Sequence, residues 1–138
     1  DNIKFYTKDI ERIEVVAEGL TRIHGDVEIG GTLSFINSYE ILNVSGIVNP
    51  KKTNTLIESN NRFENLTYTI SNSVEGFQKN IFYSGTDSVV TINFGNGHLI
   101  GGGGVFSKLQ FKENGQSVTV VYLGNNWRII NTGGLLSK

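Results

Sequence analysis

The strongest constraint on the fold is a pair of short runs near the C-terminus in which apolar residues recur at every second position. A tight turn joins the two runs. Apolar residues occupy every second position of 118–122, and a Gly-Asn-Asn turn leads into a second run at 127–129. A period of two is typical of a strand with one buried face, and glycine and asparagine tolerate the positive φ of short turns. Residues 115–130 therefore predict a β-hairpin, and Trp127, the only tryptophan, is predicted to anchor it.

In the rest of the chain, turn-forming residues also separate short alternating runs. The sequence has 17 glycines and one proline, and its alternating runs cover 41–44, 55–59, 65–71, 77–84, 88–94 and 105–111. Strands that arrive every ~8–12 residues are typical of antiparallel sandwiches or barrels. We therefore predict an all-β chain with an antiparallel β-sandwich, jelly-roll-like, in which 77–84 pairs with 88–94 across Gly85, Thr86 and Asp87.

The first 36 residues have a pattern of their own. From residue 23 to residue 35 apolar side chains share one parity, and glycines interrupt the run at 25, 30 and 31. The run is longer than an ordinary strand of ~5–6 residues, which favours successive short strands with glycine corners. One apolar face needs a partner, and either an edge hairpin of a monomeric sandwich or other chains would supply it.

The charge balance and the missing residue types exclude several functions. Twelve Lys and Arg against 13 Asp and Glu leave a net charge of −1, which gives no general attraction to nucleic acid or anionic membranes. No cysteine is present, so thiolate metal sites and cysteine nucleophiles are excluded. No apolar run approaches the ~18 residues of a membrane span. We predict no nucleic-acid partner, no membrane insertion and no cofactor.

Motifs with a catalytic meaning are weak in this chain. The glycine-rich run 95–104 lacks the Gly-Lys-Ser/Thr of a phosphate loop and predicts a loop between strands. The two histidines, His24 and His98, have no carboxylates at ligand spacing. The carboxylates of residues 11–28 alternate with apolar residues, which favours a solvated strand face over a glycosidase pair. The chain is therefore predicted to bind and not to catalyse.

Two segments carry a resemblance to viral and phage fibres. The hairpin pattern Gly-Gln-Ser-Val-Thr, followed by Tyr-x-Gly-x-Asn-Trp-x-Ile-Ile, resembles the closing hairpin of head domains at the ends of tail fibres and tailspikes. Motifs near the N-terminus resemble fibre shaft repeats. They are Phe-Tyr-Thr followed by Glu-Arg-Ile within 5–13, and Gly-Asp-Val-Glu-Ile-Gly-Gly-Thr-Leu at 25–33. The resemblance implies a homotrimer with a short intertwined trimeric β shaft at 1–36 and a head at 37–138.

By the same resemblance the protein is expected to be a structural virion protein at the extracellular fibre tip. Its head would attach to a host-cell surface receptor, either a glycan or a protein. Exposed turns are where a rigid β scaffold usually presents its contacts. The predicted receptor contacts are Asn60, Asn61, Arg62, Gly85, Thr86, Asp87, His98 and Gly102.

Two other functions stay open on the sequence. A monomeric carbohydrate-binding module of a larger secreted enzyme would have the same strand-rich composition and exposed aromatics. A tailspike-type glycosidase would place its active site between chains. The shaft-like beginning disfavours the first, and the lack of a persuasive carboxylate pair disfavours the second.

Overall fold

The computed structural model describes residues 3–7, 10–15, 21–24, 38–60, 64–86, 88–94 and 98–134. The chain divides into two compact units, Asp1–Phe35 and Ile36–Lys138. The described residues form strands, turns and bends, and they contain no helix. The prediction of an all-β chain is therefore confirmed, whereas the assignment of residues 1–36 to a shaft and 37–138 to a head stays a prediction.

The first unit contains a three-stranded antiparallel sheet. Its strands are β1 (Ile3–Thr7), β2 (Ile10–Val15) and β3 (Thr21–Ile23), in that order. Ile13 is the central pairing position, opposite Phe5 on one side and Ile23 on the other. Most of the alternating run that suggested an intertwined shaft, from residue 25 onward, lies outside the described residues, so the trimeric shaft stays a prediction.

In the second unit, the described residues form eleven further strands in two mixed sheets. The strands are β4 (Tyr39–Leu42), β5 (Gly46–Val48), β6 (Asn54–Ser59), β7 (Leu66–Ile70), β8 (Gln78–Gly85), β9 (Val90–Asn93), β10 (Leu99–Gly101), β11 (Gly104–Phe106), β12 (Lys108–Phe111), β13 (Ser117–Leu123) and β14 (Asn126–Gly133). The seven-stranded sheet has the order β11-β10-β14-β13-β8-β6-β4, and the four-stranded sheet has the order β12-β9-β7-β5.

Strands β4 to β9 alternate between the two sheets. Consequently β4, β6 and β8 pair in parallel in one sheet, and β5, β7 and β9 pair in parallel in the other. This winding is that of a β-solenoid, in which successive turns of the chain stack on one another. The predicted antiparallel, jelly-roll-like arrangement is wrong for these six strands. Antiparallel pairing in this unit involves the later strands, where β11 joins β10, β12 joins β9, β13 joins β8 and β14 joins β13.

The predicted hairpin between 77–84 and 88–94 is also wrong. β8 and β9 belong to different sheets, and the residues between them turn the chain from one sheet to the other. At this corner the Tyr83 hydroxyl donates to the Ser88 carbonyl oxygen at 3.1 Å. Alternation predicts which face of a strand is buried but not which strand it pairs with, so a hairpin and a corner between sheets look alike in sequence.

Apolar side chains from both sheets meet in one core. Buried residues alternate along β7, β8 and β13, as in β7, where Leu66, Tyr68 and Ile70 point inward. The largest side chains with almost no exposed surface include Trp127, Tyr68, Tyr83, Phe94 and Phe111. The period of two therefore sets the inner and outer faces of the sheets.

The predicted C-terminal hairpin is present. β13 and β14 pair in antiparallel fashion, and Gly124 and Asn125 form the turn between them with φ values of 60° and 61°. Two successive positive φ angles define the type I′ turn that suits the twist of a two-residue hairpin. Trp127 is fully buried, as predicted, and its indole nitrogen donates to the Ser71 carbonyl oxygen at 3.1 Å.

The glycine-rich run also contains a tight hairpin. β10 and β11 pair across Gly102 and Gly103, both with positive φ. The alternating run 105–111 is split at Ser107, because β11 and β12 lie in different sheets. As a result Val105 is exposed, while Leu109 is buried.

Candidate functional site

A polar pocket lies where β6 and β8 end side by side. These strands are parallel neighbours whose last pair is Ser59 with Gly85, so the loops that follow them leave the same edge of the sheet. The cavity has a volume of about 200 Å³. Its lining comes from both strand ends and from the turn before β13: Glu58, Ser59, Asn60, Ser84, Gly85, Thr86 and Asn114.

Hydrogen bonds fix the wall of the pocket nearest the core. The Ser59 hydroxyl donates to the Ser88 Oγ atom at 2.8 Å, and the Tyr83 hydroxyl donates to the Ser88 carbonyl oxygen. Ser88 is buried, so the bond from Tyr83 lies out of water, whereas the bond from Ser59 is partly buried. These bonds tie the end of β6 to the corner after β8 and hold the pocket in one shape.

A tight turn supplies the opposite wall. The buried side chain of Gln116 accepts from the backbone N–H groups of Lys112 and Glu113 at 2.6 and 3.0 Å. This places Asn114 beside the end of β8, where its Oδ1 atom accepts from the Gly85 N–H at 3.3 Å. The Asn114 amide is therefore oriented before any ligand arrives.

Gly85 allows the chain to pass close to the pocket floor. A Cβ atom at this position would lie 2.7 Å from the Tyr83 hydroxyl oxygen and 2.8 Å from Ser59 Cβ. Both distances are too short for non-bonded atoms, so any side chain here would displace the floor. The glycine is needed for close approach and not for an unusual φ.

The lining offers hydrogen-bond donors and acceptors of several kinds. Ser59, Ser84 and Thr86 supply hydroxyls, Asn60 and Asn114 supply amides, and Glu58 supplies a carboxylate. Sugar hydroxyls both donate and accept, so a mixed set of this kind complements them. Glu58 is the one carboxylate among the described lining residues.

The structure brings three predicted contact residues together and separates two others. Asn60, Gly85 and Thr86 line the pocket. His98 is exposed beside the C-terminal hairpin, where its backbone N–H donates to Asn126 Oδ1 at 3.3 Å. Gly102 lies at the tip of the β10–β11 hairpin, and β13 and β14 separate that region from β8 in the sheet.

The remaining predicted contacts, Asn61, Arg62 and Asp87, lie outside the described residues. The sequence prediction missed the residues that complete the pocket, namely Glu58, Ser59, Ser84 and Asn114. Asn114 lies between the alternating run 105–111 and the predicted hairpin 115–130. Its place in the pocket depends on the pairing of β8 with β13, which the local sequence does not encode.

Within the part of the chain that the structure describes, no three His, Cys, Asp or Glu side chains are grouped so that they could hold a metal ion. The same residues include no helix with the length and apolar character that would cross a bilayer. No model of a protein family matches the chain, and no curated protein matches its sequence. The similarity to fibre proteins therefore stays a prediction.

Proposed function

We propose that the second unit is a glycan-binding head, and that the chain is the terminal part of a viral or phage fibre that attaches to a host-cell surface. The observation that carries this proposal is the polar pocket at the ends of β6 and β8. Among its lining side chains, hydrogen bonds with Ser88 and with the Gly85 N–H hold Ser59 and Asn114 in place before a ligand binds. Preorganised polar groups lower the entropic cost of binding a hydroxyl-rich ligand.

The size of the pocket limits what enters it. Pockets for drug-sized ligands begin at ~300 Å³, whereas this one has about 200 Å³. The pocket therefore takes one sugar ring or a ring substituent, and the remainder of a glycan extends over the neighbouring surface. Weak binding at each site would be typical of such a small pocket, and several copies on one fibre would raise the total avidity.

The test is a glycan panel probed with wild-type protein and with variants of the pocket. Ser84→Ala removes an exposed lining hydroxyl, and Glu58→Gln removes the charge but keeps the shape of the side chain. Each is expected to weaken binding by about tenfold, the loss of one good polar contact. The matched control is Thr69→Ala, an exposed threonine on the other sheet, which should bind like wild type.

A monomeric carbohydrate-binding module is the second candidate, and one observation favours it. Strands β1 to β3 pair with one another within a single chain, so this sheet forms without strands from a second chain. The mass of the native particle separates the two candidates. A mass near three times 15.2 kDa supports the trimeric fibre, and a mass near 15.2 kDa supports the monomeric module.

A further inference from the structure

The outer face of the seven-stranded sheet leads directly into the pocket. On β6 the buried residues are Thr55 and Ile57, and on β8 they are Lys79, Ile81 and Tyr83. The residues between them therefore point away from the core. They stand side by side as the pairs Asn54 with Asn80, Leu56 with Phe82 and Glu58 with Ser84. The last of these pairs lines the pocket.

An apolar platform lies next to the pocket on this face. The Phe82 side chain is 44% exposed, and it neighbours Leu56, which in turn neighbours the 54% exposed Ile41 on β4. A half-exposed aromatic ring beside polar residues is typical of interaction sites and offers its face to the C–H groups of a sugar ring.

A ladder of amides lies beyond the platform. Asn80 Nδ2 donates to Asn54 Oδ1 at 3.0 Å, and the Thr119 hydroxyl donates to Asn80 Oδ1 at 2.9 Å. Each amide nitrogen carries two hydrogens. The ladder uses one hydrogen of Asn80 Nδ2 and none of Asn54 Nδ2, so donors of fixed orientation remain for a ligand.

The two rows across this face are uncharged. One row is polar and consists of Tyr39, Asn54, Asn80, Thr119 and Asn131. The other row is apolar at its first three positions and consists of Ile41, Leu56, Phe82, Ser117 and Gly133. An uncharged surface suits a neutral ligand, because a charged one would lose hydration without gaining an opposite charge.

We propose that the pocket is one end of an extended binding track for a neutral, linear oligosaccharide, which lies along β6 and β8 over Phe82 and ends at Asn54 and Asn80. At ~3.3 Å per residue, the distance from residue 54 to residue 60 is about 20 Å. The track is therefore several sugar rings long. This inference rests on the proposed function and adds the ligand's charge, its length and the direction in which it lies.

The test measures affinity against glycan length. The probes are neutral cello-, xylo-, manno- and malto-oligosaccharides, each from disaccharide to hexasaccharide. Affinity for the series that binds is expected to rise about tenfold or more with length. Phe82→Ala should lower the affinity for the longest probe by about tenfold and leave the disaccharide unaffected. Ser84→Ala should weaken both, and Thr69→Ala neither.

Each other outcome overturns the track, and the outcomes are distinguishable. If affinity does not change with length, or if Phe82→Ala binds the hexasaccharide like wild type, the track is wrong while the pocket still binds sugar. If Phe82→Ala changes the native mass, the outer face is an interface between copies of the chain and not a glycan site. If no probe binds wild-type protein, the proposed function fails together with the track.

Discussion

The side-chain nitrogen of Lys79 lies 3.6 Å from Glu40 Oε1, although the Lys79 side chain has no exposed surface. The same nitrogen donates to the carbonyl oxygens of Asn49 and Lys52 at 3.0 and 2.7 Å. Glu40 Oε1 also accepts from the Thr55 hydroxyl at 2.7 Å and from the Asn49 N–H at 3.0 Å. A buried ion pair thus holds the loop between β5 and β6 against the solenoid.

This burial predicts how stability depends on pH. Desolvation lowers the pKa of Lys79 to about 8, although the negative charge of Glu40 opposes the shift. Between pH ~8 and the ordinary lysine pKa of ~10.4, the unfolded chain binds more protons than the folded chain. Lys79 therefore makes the free energy of unfolding rise with pH across this window, and it contributes no slope below it.

Urea unfolding from about pH 7 to about pH 10 measures this slope. The control is the double variant Lys79→Met, Glu40→Gln, which removes the Lys79 amine and the charge of its partner but keeps the Oε1 acceptor for Thr55 and Asn49. We expect the rise above pH ~8 in wild type and its absence in the double variant. An identical slope in both proteins would show that Lys79 does not titrate in this range.

A second prediction concerns two buried tyrosines. Tyr68 has no exposed surface, its hydroxyl finds no hydrogen-bond partner in the described structure, and burial raises its pKa to about 12. Tyr68→Phe removes an unsatisfied polar group, so it should stabilise the fold by about 1 kcal/mol. Tyr83→Phe removes the bond to Ser88 and should destabilise it by about 1 kcal/mol. Equal effects of the two changes in urea unfolding would contradict the assignment.

A third prediction uses two glycines of the solenoid. Gly85→Ala forces a Cβ atom against Tyr83 and Ser59, and we expect a loss of about 1–3 kcal/mol in stability together with weaker glycan binding. Gly46→Ala is the matched control on β5, because no atom lies within 4 Å of the added Cβ. Thermal unfolding compares the stability of the two variants. A Gly85→Ala protein as stable as wild type would show that Tyr83 and Ser59 can shift away from the added Cβ atom at little cost.

A fourth prediction concerns the turn of the C-terminal hairpin. Asn125 has a φ of 61°, a region that β-branched residues avoid. Asn125→Val should therefore cost about 1–2 kcal/mol, whereas Asn125→Gly should be close to neutral. The measurement is the midpoint of urea unfolding. A valine variant as stable as the glycine variant would mean that the turn changes type at little cost.

The faces of the strands could be predicted from sequence, but their partners could not. Parity correctly placed Trp127, Val118 and Val120 in the core, because it records which side chains avoid water. It also contained a signal that the sequence prediction missed. Lys79 stands two positions before Ile81 and four before Tyr83, so it lies on the same buried face of the strand, and its burial could have been predicted from the sequence.

The pocket could be predicted only in part for the same physical reason. Exposed turns at residues 60 and 85–86 were recognised from their polar and glycine residues. Their meeting depends on the parallel pairing of β6 with β8, which stacked solenoid turns impose and which no local pattern encodes. A hairpin in place of this pairing would have set the two turns apart.

NMR can map which residues of the protein contact a bound glycan. Isotope-labelled protein is titrated with the oligosaccharide that binds best in the panel, and the backbone amide shifts are followed. If glycan binds in the pocket and along the track, the largest changes will cluster at residues 58–60, 84–86 and 114, with further changes at Phe82 and Asn80. Changes centred instead on Thr67, Thr69 and Thr91 of the other sheet, with the pocket amides unmoved, would contradict this placement of the glycan.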